Sequence, residues 1–222
     1  MTDSNLQRLN MVESQVRPSD VTDRRIIKAM LEVPREKFVP AALASMAYMD
    51  EPVPLAARNG SGIRYMLAPR TFAKLVQLAE IDPEAVVLDV GCAAGYSTAV
   101  LARLAKRVVA VESDKDLAEQ ARRLLEELGV GNAAVVEGRL VTGAPAEAPF
   151  DAIVLNGGVE TVTPVLLEQL KEGGRLVAIV AEGPLCRAQV WRRAGKTFDA
   201  RPAFDAGAAV LPGFERAVGF VF

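Results

Sequence analysis

The stretch Val87-Leu88-Asp89-Val90-Gly91-Cys92-Ala93-Ala94-Gly95-Tyr96 decides the fold. An apolar run breaks into a glycine-containing loop, and the loop opens a helical segment from Tyr96 to Leu104. Gly91 and Gly95 permit a tight turn and a close backbone approach to a ligand. Outward from this unit, apolar runs and helical segments alternate. Arg107 to Glu112 reads as a second strand, and Leu117 to Leu128 as a helix closed by Gly129. Ala133 to Val136 is a third strand and Asp151 to Leu155 a fourth. A helix from Val165 to Leu170, a turn at Gly173-Gly174 and a fifth strand from Arg175 to Val180 follow. Continuous apolar strands separated by helices predict a mostly parallel sheet covered on both faces, a Rossmann-like α/β fold. Leu185 to Arg192 and Arg216 to Phe222 lack an intervening long helix and read as an antiparallel pair at the sheet edge.

Upstream the pattern is different. Residues 4–16 and 22–32 read as helices, with Leu6, Leu9, Val12 and Val16 in the first and Ile26, Ile27, Met30 and Leu31 in the second. Pro18 separates them, Thr22 or Asp20 caps the second, and Pro34 ends it. Residues 40–68 are rich in Pro and Gly and read as mostly irregular with short strands. Pro69 suits the first turn of a helix running to about Glu80. The expected organisation is one domain over 1–222, with 1–68 as a helical and irregular cap on the substrate face and 69–222 as the core.

Composition narrows the chemistry. Lys and Arg number 26 against 28 Asp and Glu, a net charge of −2, which predicts no general affinity for nucleic acid or anionic membrane. No run of 18 apolar residues exists, and the N-terminal MTDSNLQRLN has no apolar core of a secretory signal. Cys92 and Cys186 are too few for a disulfide framework, and a cytoplasmic setting is expected. There is no histidine. That removes imidazole general bases, Ser-His-Asp triads and His-ligated metals, and no metal site is expected.

The glycine loop points to a nucleoside. Glu112 ends the next strand about 20 residues after Gly91, the spacing at which an acid accepts from ribose hydroxyls. Taken alone, the same residues also fit a plain α/β turn with a solvated acid. A dinucleotide fingerprint wants a glycine where Ala93 stands, so a pyrophosphate is disfavoured. Asp89, two residues before Gly91, followed by the loose G-x-x-x-G, resembles the first motif of S-adenosylmethionine methyltransferases.

A more specific resemblance covers nearly the whole chain in order. Met11 to Val16, Val21 to Met30 and Val33-Pro34-Arg35-Glu36-Lys37-Phe38-Val39-Pro40 resemble the N-terminal signature of the protein-L-isoaspartate O-methyltransferases. Tyr48 with Asp50 to Pro54, Val87 to Tyr96, Ala148 to Asp151, and Leu167 to Val177 resemble its later blocks. The resemblance implies methyl esterification of isoaspartyl carboxylates with S-adenosyl-L-methionine. A protein, peptide or small carboxylate is expected as acceptor, and a monomer or homodimer as the assembly. It places the cofactor against Asp89, Gly91, Cys92, Ala93, Gly95, Tyr96, Glu112, Ser113, Gly138, Arg139 and Asn156.

Three departures stand against the family pattern. A Thr-Ile-Ser-Gln-Pro segment with a catalytically linked serine is replaced by Gly60 to Pro69, which sets Arg64 at the serine with the proline three positions late. Ser61 and Arg64 are therefore the catalytic candidates. Arg64 is read either as a partner for a carboxylate substrate or as a surface charge. A Gly-Asp-Gly turn whose acid accepts from adenine is replaced by Gly138-Arg139-Leu140, and arginine accepts nothing. Asn156-Gly157-Gly158 introduces an amide of no evident use. These departures leave a second reading open, a family member that has lost turnover and acts as a binding or regulatory protein.

Overall fold

The computed structural model describes residues 4–55, 63–182 and 185–216. A two-stranded hairpin, β1 (Val53–Leu55) and β2 (Arg64–Met66), precedes the seven strands of the main sheet. These are β3 (Val86–Val90), β4 (Arg107–Glu112), β5 (Ala133–Glu137), β6 (Phe150–Val159), β7 (Leu170–Glu182), β8 (Leu185–Ala194) and β9 (Thr197–Asp205). The helices are α1 (Ser4–Met11), α2 (Arg24–Glu32), α3 (Pro69–Leu78), α4 (Tyr96–Leu101), α5 (Lys115–Glu127) and α6 (Pro164–Leu167).

Strand order in the main sheet is β5-β4-β3-β6-β7-β8-β9. The pairs from β5 to β7 are parallel, and β8 and β9 are antiparallel additions. The chain leaves β3 toward β4 and β5, then returns to the other side of β3 as β6. That reversal makes the carboxyl ends of β3 and β6 the switch point, where such sheets open a crevice for ligands. Val87, Leu88 and Val90 are buried, and so are Val108 to Val111, as strands covered on both faces require.

Local chemistry sets the helices. In α5 the Asp114 carboxylate accepts from the Leu117 N–H at 3.0 Å, and Leu117, Ala118, Ala121, Leu124 and Leu125 form one buried stripe. Gly129, at φ +66°, closes the helix. The second N-terminal helix is capped by Asp23, not by Thr22 or Asp20, because Asp23 Oδ1 accepts the Arg25 N–H at 2.8 Å while Asp20 is left-handed at φ 62°. The first N-terminal helix is α-helical only to Met11. A wider turn follows over Val12–Val16, then a tighter one over Arg17–Ser19 that includes Pro18. Met11, Val16, Ile26 and Met30 join Phe72, Leu75 and Val177 in one buried cluster, which seats the N-terminal segment on the sheet.

The C-terminal edge corrects one expectation. The partner of β8 is β9, Thr197–Asp205. Arg216 is not in a strand, and 217–222 lie outside the described residues. Beyond β9, the chain returns over the end of β6. Gly158 N–H donates to Ala209 O at 2.7 Å, and Leu211 N–H to Gly158 O at 2.8 Å. A Cβ on Gly157 would meet Leu211 Cγ at 2.6 Å and one on Gly158 would meet Ala208 O at 2.6 Å. The Gly157-Gly158 pair therefore makes room for this returning chain inside a strand and forms no turn.

Candidate active site

Two buried carboxylates stand at the carboxyl end of the sheet. The first is Asp89, fully buried near the end of β3. Its Oδ2 accepts from Ser97 Oγ at 2.8 Å and Thr98 Oγ1 at 2.6 Å, both in the first turn of α4. Its Oδ1 accepts from the Asn156 side-chain amide on β6. The amide without an evident use thus ties β6 to β3 across the switch point. Burial pushes the Asp89 carboxyl up to about 7, and the charge of Glu112 adds to the shift. The three donors oppose it.

The second carboxylate is Glu112, also fully buried, at the end of β4. Its Oε2 accepts the Ala93 N–H at 2.7 Å. Its Oε1 accepts the N–H groups of Ser113 at 2.8 Å and Asp114 at 3.0 Å. Ala93 reaches this position because the loop turns through left-handed conformations, φ 77° at Gly91 and 48° at Ala93. Gly95, at φ 97°, also needs its small size, since a Cβ there would lie 3.1 Å from Ala121 Cβ on α5. The acid that the sequence reading assigns to a ribose is covered here by a side chain of the hairpin. Arg64, reaching over from β2, donates through Nη1 to Glu112 Oε1 at 2.7 Å and through Nη2 to Gly91 O at 3.2 Å. Arg64 is only 3% exposed, so it is neither a surface charge nor free to meet a carboxylate substrate.

A cavity of ≈ 20 Å³ lies beside this pair, between the Gly91–Ser97 loop and the segment Leu55, Met66 and Leu67. That volume holds about one water-sized group. Tyr96 is buried against it, edge-on to Phe38 at 5.7 Å between ring centroids and tilted against Phe72 at 5.6 Å. The Arg35 guanidinium stacks on the Tyr96 ring, 4.7 Å from its centroid. Arg35 is fully buried, and its Nε and Nη2 donate to Ala47 O at 2.6 Å and Leu67 O at 2.5 Å.

The remaining sequence candidates divide. Gly138 donates its N–H to Glu112 O at 2.9 Å, so the turn after β5 abuts the acid. Arg139 is exposed and opens the short turn Leu140–Thr142. Ser113 is exposed beside Glu112. Cys92 is a buried free thiol whose burial holds it well above the usual thiol range, so it is inert filler in the loop. Ser61 lies outside the described residues. Three residues that sequence reasoning gave no role are Arg35, Ser97 and Thr98. The Ser-Thr pair directly after Gly95-Tyr96 is a legible sign, because hydroxyls in a first helical turn point back toward the strand end. Nothing in periodicity marks Arg35 as buried.

The comparisons agree with one another. The family description that matches, over residues 7–210, reads protein-L-isoaspartate(D-aspartate) O-methyltransferase. A protein-L-isoaspartate O-methyltransferase of Geobacter metallireducens is 42% identical over 172 residues, 78% of this chain and 77% of the relative. One of Opitutus terrae is 40% identical over 194 residues, 86% of this chain and 80% of the relative. A solved protein-L-isoaspartate O-methyltransferase superposes with a TM-score of 0.81 at 27% identity, over 93% of this chain and 66% of that one. A Plasmodium falciparum structure in complex with S-adenosyl-L-homocysteine gives 0.77 at 21% identity, over 92% and 97%, which speaks to the fold.

Proposed function

The chain belongs to the protein-L-isoaspartate O-methyltransferase family, and from that premise we propose that it methyl-esterifies isoaspartyl carboxylates in altered proteins and peptides. It is an S-adenosylmethionine-dependent methyltransferase. No helix among the described residues is long and apolar enough to cross a membrane.

The observation that carries the reading is the Glu112 carboxylate at the end of β4, already met by a charged donor. The Arg64 guanidinium stands in for donors that a ribose diol would bring to the same oxygen. Arg64 would give up this oxygen to a ribose hydroxyl, while the backbone N–H groups of Ala93, Ser113 and Asp114 would keep the acid in place. Gly91 brings the loop close to whatever lies on Glu112, since a Cβ at Gly91 would come 3.0 Å from Arg64 Nη2.

S-adenosylmethionine supplies an electrophilic methyl group. A carboxylate acceptor is ionised near neutral pH, so no general base is required, and a chain without histidine loses nothing by it. What remains for the protein is positioning and exclusion of water. With Pro69 at the first turn of α3, a Thr-Ile-Ser-Gln-Pro segment ending on the same proline sets its serine at Leu67, without the three-residue shift that set Arg64 there. Leu67 carries no hydroxyl. Its buried side chain lines the cavity, and its carbonyl is held by Arg35.

A second reading, a family fold that binds without turnover, is favoured by the Arg64–Glu112 closure and by Leu67. One assay separates the two. A tritiated methyl donor is offered with an isoaspartyl peptide and with the same peptide bearing ordinary aspartate. Base-labile label on the isoaspartyl peptide alone is the expected result. A protein that binds S-adenosylhomocysteine but labels neither peptide contradicts the proposed function and leaves the second reading.

A further inference from the structure

Among the described residues, Arg35 is a buried cation with no anion in ion-pair contact. Guanidinium groups stay charged, and an unpaired buried charge is costly unless something compensates it. Two of its nitrogens hold backbone carbonyls, and stacking on Tyr96 contributes a further, weaker attraction. Its Nη1 is buried without a hydrogen-bond partner. The Tyr96 hydroxyl, on the ring beneath, is buried with no acceptor for its proton among the described residues, and its polar neighbour is the Arg35 guanidinium, itself a donor. Buried donors in native proteins are nearly always matched, so two on residues in mutual contact require an explanation. Both residues line the cavity between the cofactor loop and Leu67.

We propose that Arg35 Nη1 and Tyr96 Oη form a carboxylate-binding subsite, which a reactant's carboxylate occupies by widening the water-sized cavity beside them. The inference rests on the methyltransferase reading, because that reaction brings carboxylates to this place. The chemistry fits: a guanidinium N–H and a phenol O–H are both donors, and a carboxylate accepts from both. Burial drives the Arg35 pKa down and that of the Tyr96 phenol up, so the phenol keeps its proton to donate. Two sources share this chemistry, the acceptor carboxylate and the amino-acid end of the cofactor. Arg35 also grips the Leu67 carbonyl three residues from Arg64, so a ligand on Arg35 reports to the segment that closes over Glu112.

Tyr96→Phe is the variant to make. It keeps the ring against Phe38, Phe72 and Arg35 and deletes only a hydroxyl whose proton has no acceptor among the described residues. Its melting temperature should equal or exceed the wild type's. Arg35→Ala would strand the carbonyls of Ala47 and Leu67, so Arg35→Lys serves as the second variant, read only if its melting temperature is preserved. Calorimetry with S-adenosylhomocysteine and with 5′-methylthioadenosine, which lacks the carboxylate, is set beside KM for an isoaspartyl peptide. Affinity for S-adenosylhomocysteine lowered about tenfold or more in Tyr96→Phe, with methylthioadenosine unchanged, supports the subsite with the cofactor as its source. Unchanged cofactor affinity with a KM raised by a similar factor supports it with the acceptor as source. Wild-type values throughout in a stable Tyr96→Phe overturn the inference while the methyltransferase reading stands. A wild-type protein that binds no S-adenosylhomocysteine overturns both.

Discussion

Asp89 and Glu112 are both acids, both fully buried, on adjacent strands of one sheet, yet they are held in different ways. Asp89 is satisfied by hydroxyls and an amide from α4 and β6, elements that the sheet itself fixes. Glu112 is satisfied by backbone N–H groups, by the hydroxyl of its neighbour Ser113 and by Arg64, which arrives from the hairpin outside the main sheet. The difference separates a knot from a socket. The partners of Asp89 stand on α4 and β6, elements adjacent to its own strand. Of the partners of Glu112, Arg64 comes from the hairpin, while the others come from the loops at the carboxyl end of the main sheet.

The largest effect should come from breaking the socket. Glu112→Ala leaves Arg64 buried with its charge unpaired, and about 3–5 kcal/mol of stability should be lost. Urea denaturation measures this. A loss below about 1 kcal/mol would mean that Arg64 swings out to solvent freely and that the pair is not a closed unit.

Asp89→Ala should cost less, about 1–3 kcal/mol, because it strands three neutral donors and no charge. Asp89→Asn should cost less again, since an amide still offers an acceptor to Asn156 and the two hydroxyls can rotate. The same position gives a pH test. An acid whose folded pKa of about 7 lies above its unfolded value binds its proton more tightly when folded. Its contribution to stability is complete below the unfolded pKa of ~3.9 and is lost as pH rises through about 7. Wild type should therefore lose stability relative to Asp89→Asn between about pH 4 and about pH 7 and level off above. Parallel curves for the two proteins would show that Asp89 is ionised throughout.

The same contrast marks what was legible in the sequence. Strands β3 and β4 were readable to the residue because both faces are buried and the apolar runs are unbroken. Gly91 and Glu112 were readable because a tight turn and a strand-end acid have fixed spacing. Strand β9 was not. Its residues are almost all exposed or half-buried, and it contains Pro202, which a strand tolerates at the sheet edge. Its identity comes from pairing with β8, a non-local fact that no window of sequence carries. The full length of β6 was missed for a related reason, since Asn156-Gly157-Gly158 looks like a turn until the chain at 208–211 packs on it. Arg64 and Arg35 were the hardest. A charged residue in a Gly-rich or Pro-flanked segment reads as surface, and only the fold shows that each is buried beside the loop that begins at Gly91.

The proposed cofactor site depends on Arg64 holding the place of a ribose on Glu112. The direct measurement is a calorimetric titration of S-adenosylhomocysteine into wild type and Arg64→Met. If Arg64 occupies the socket, the ligand no longer competes with a buried ion pair in the variant, and affinity should rise about tenfold, worth ~1.4 kcal/mol. Weaker binding in a folded Arg64→Met would contradict the account, because Arg64 would then be a ligand to the cofactor and not its stand-in.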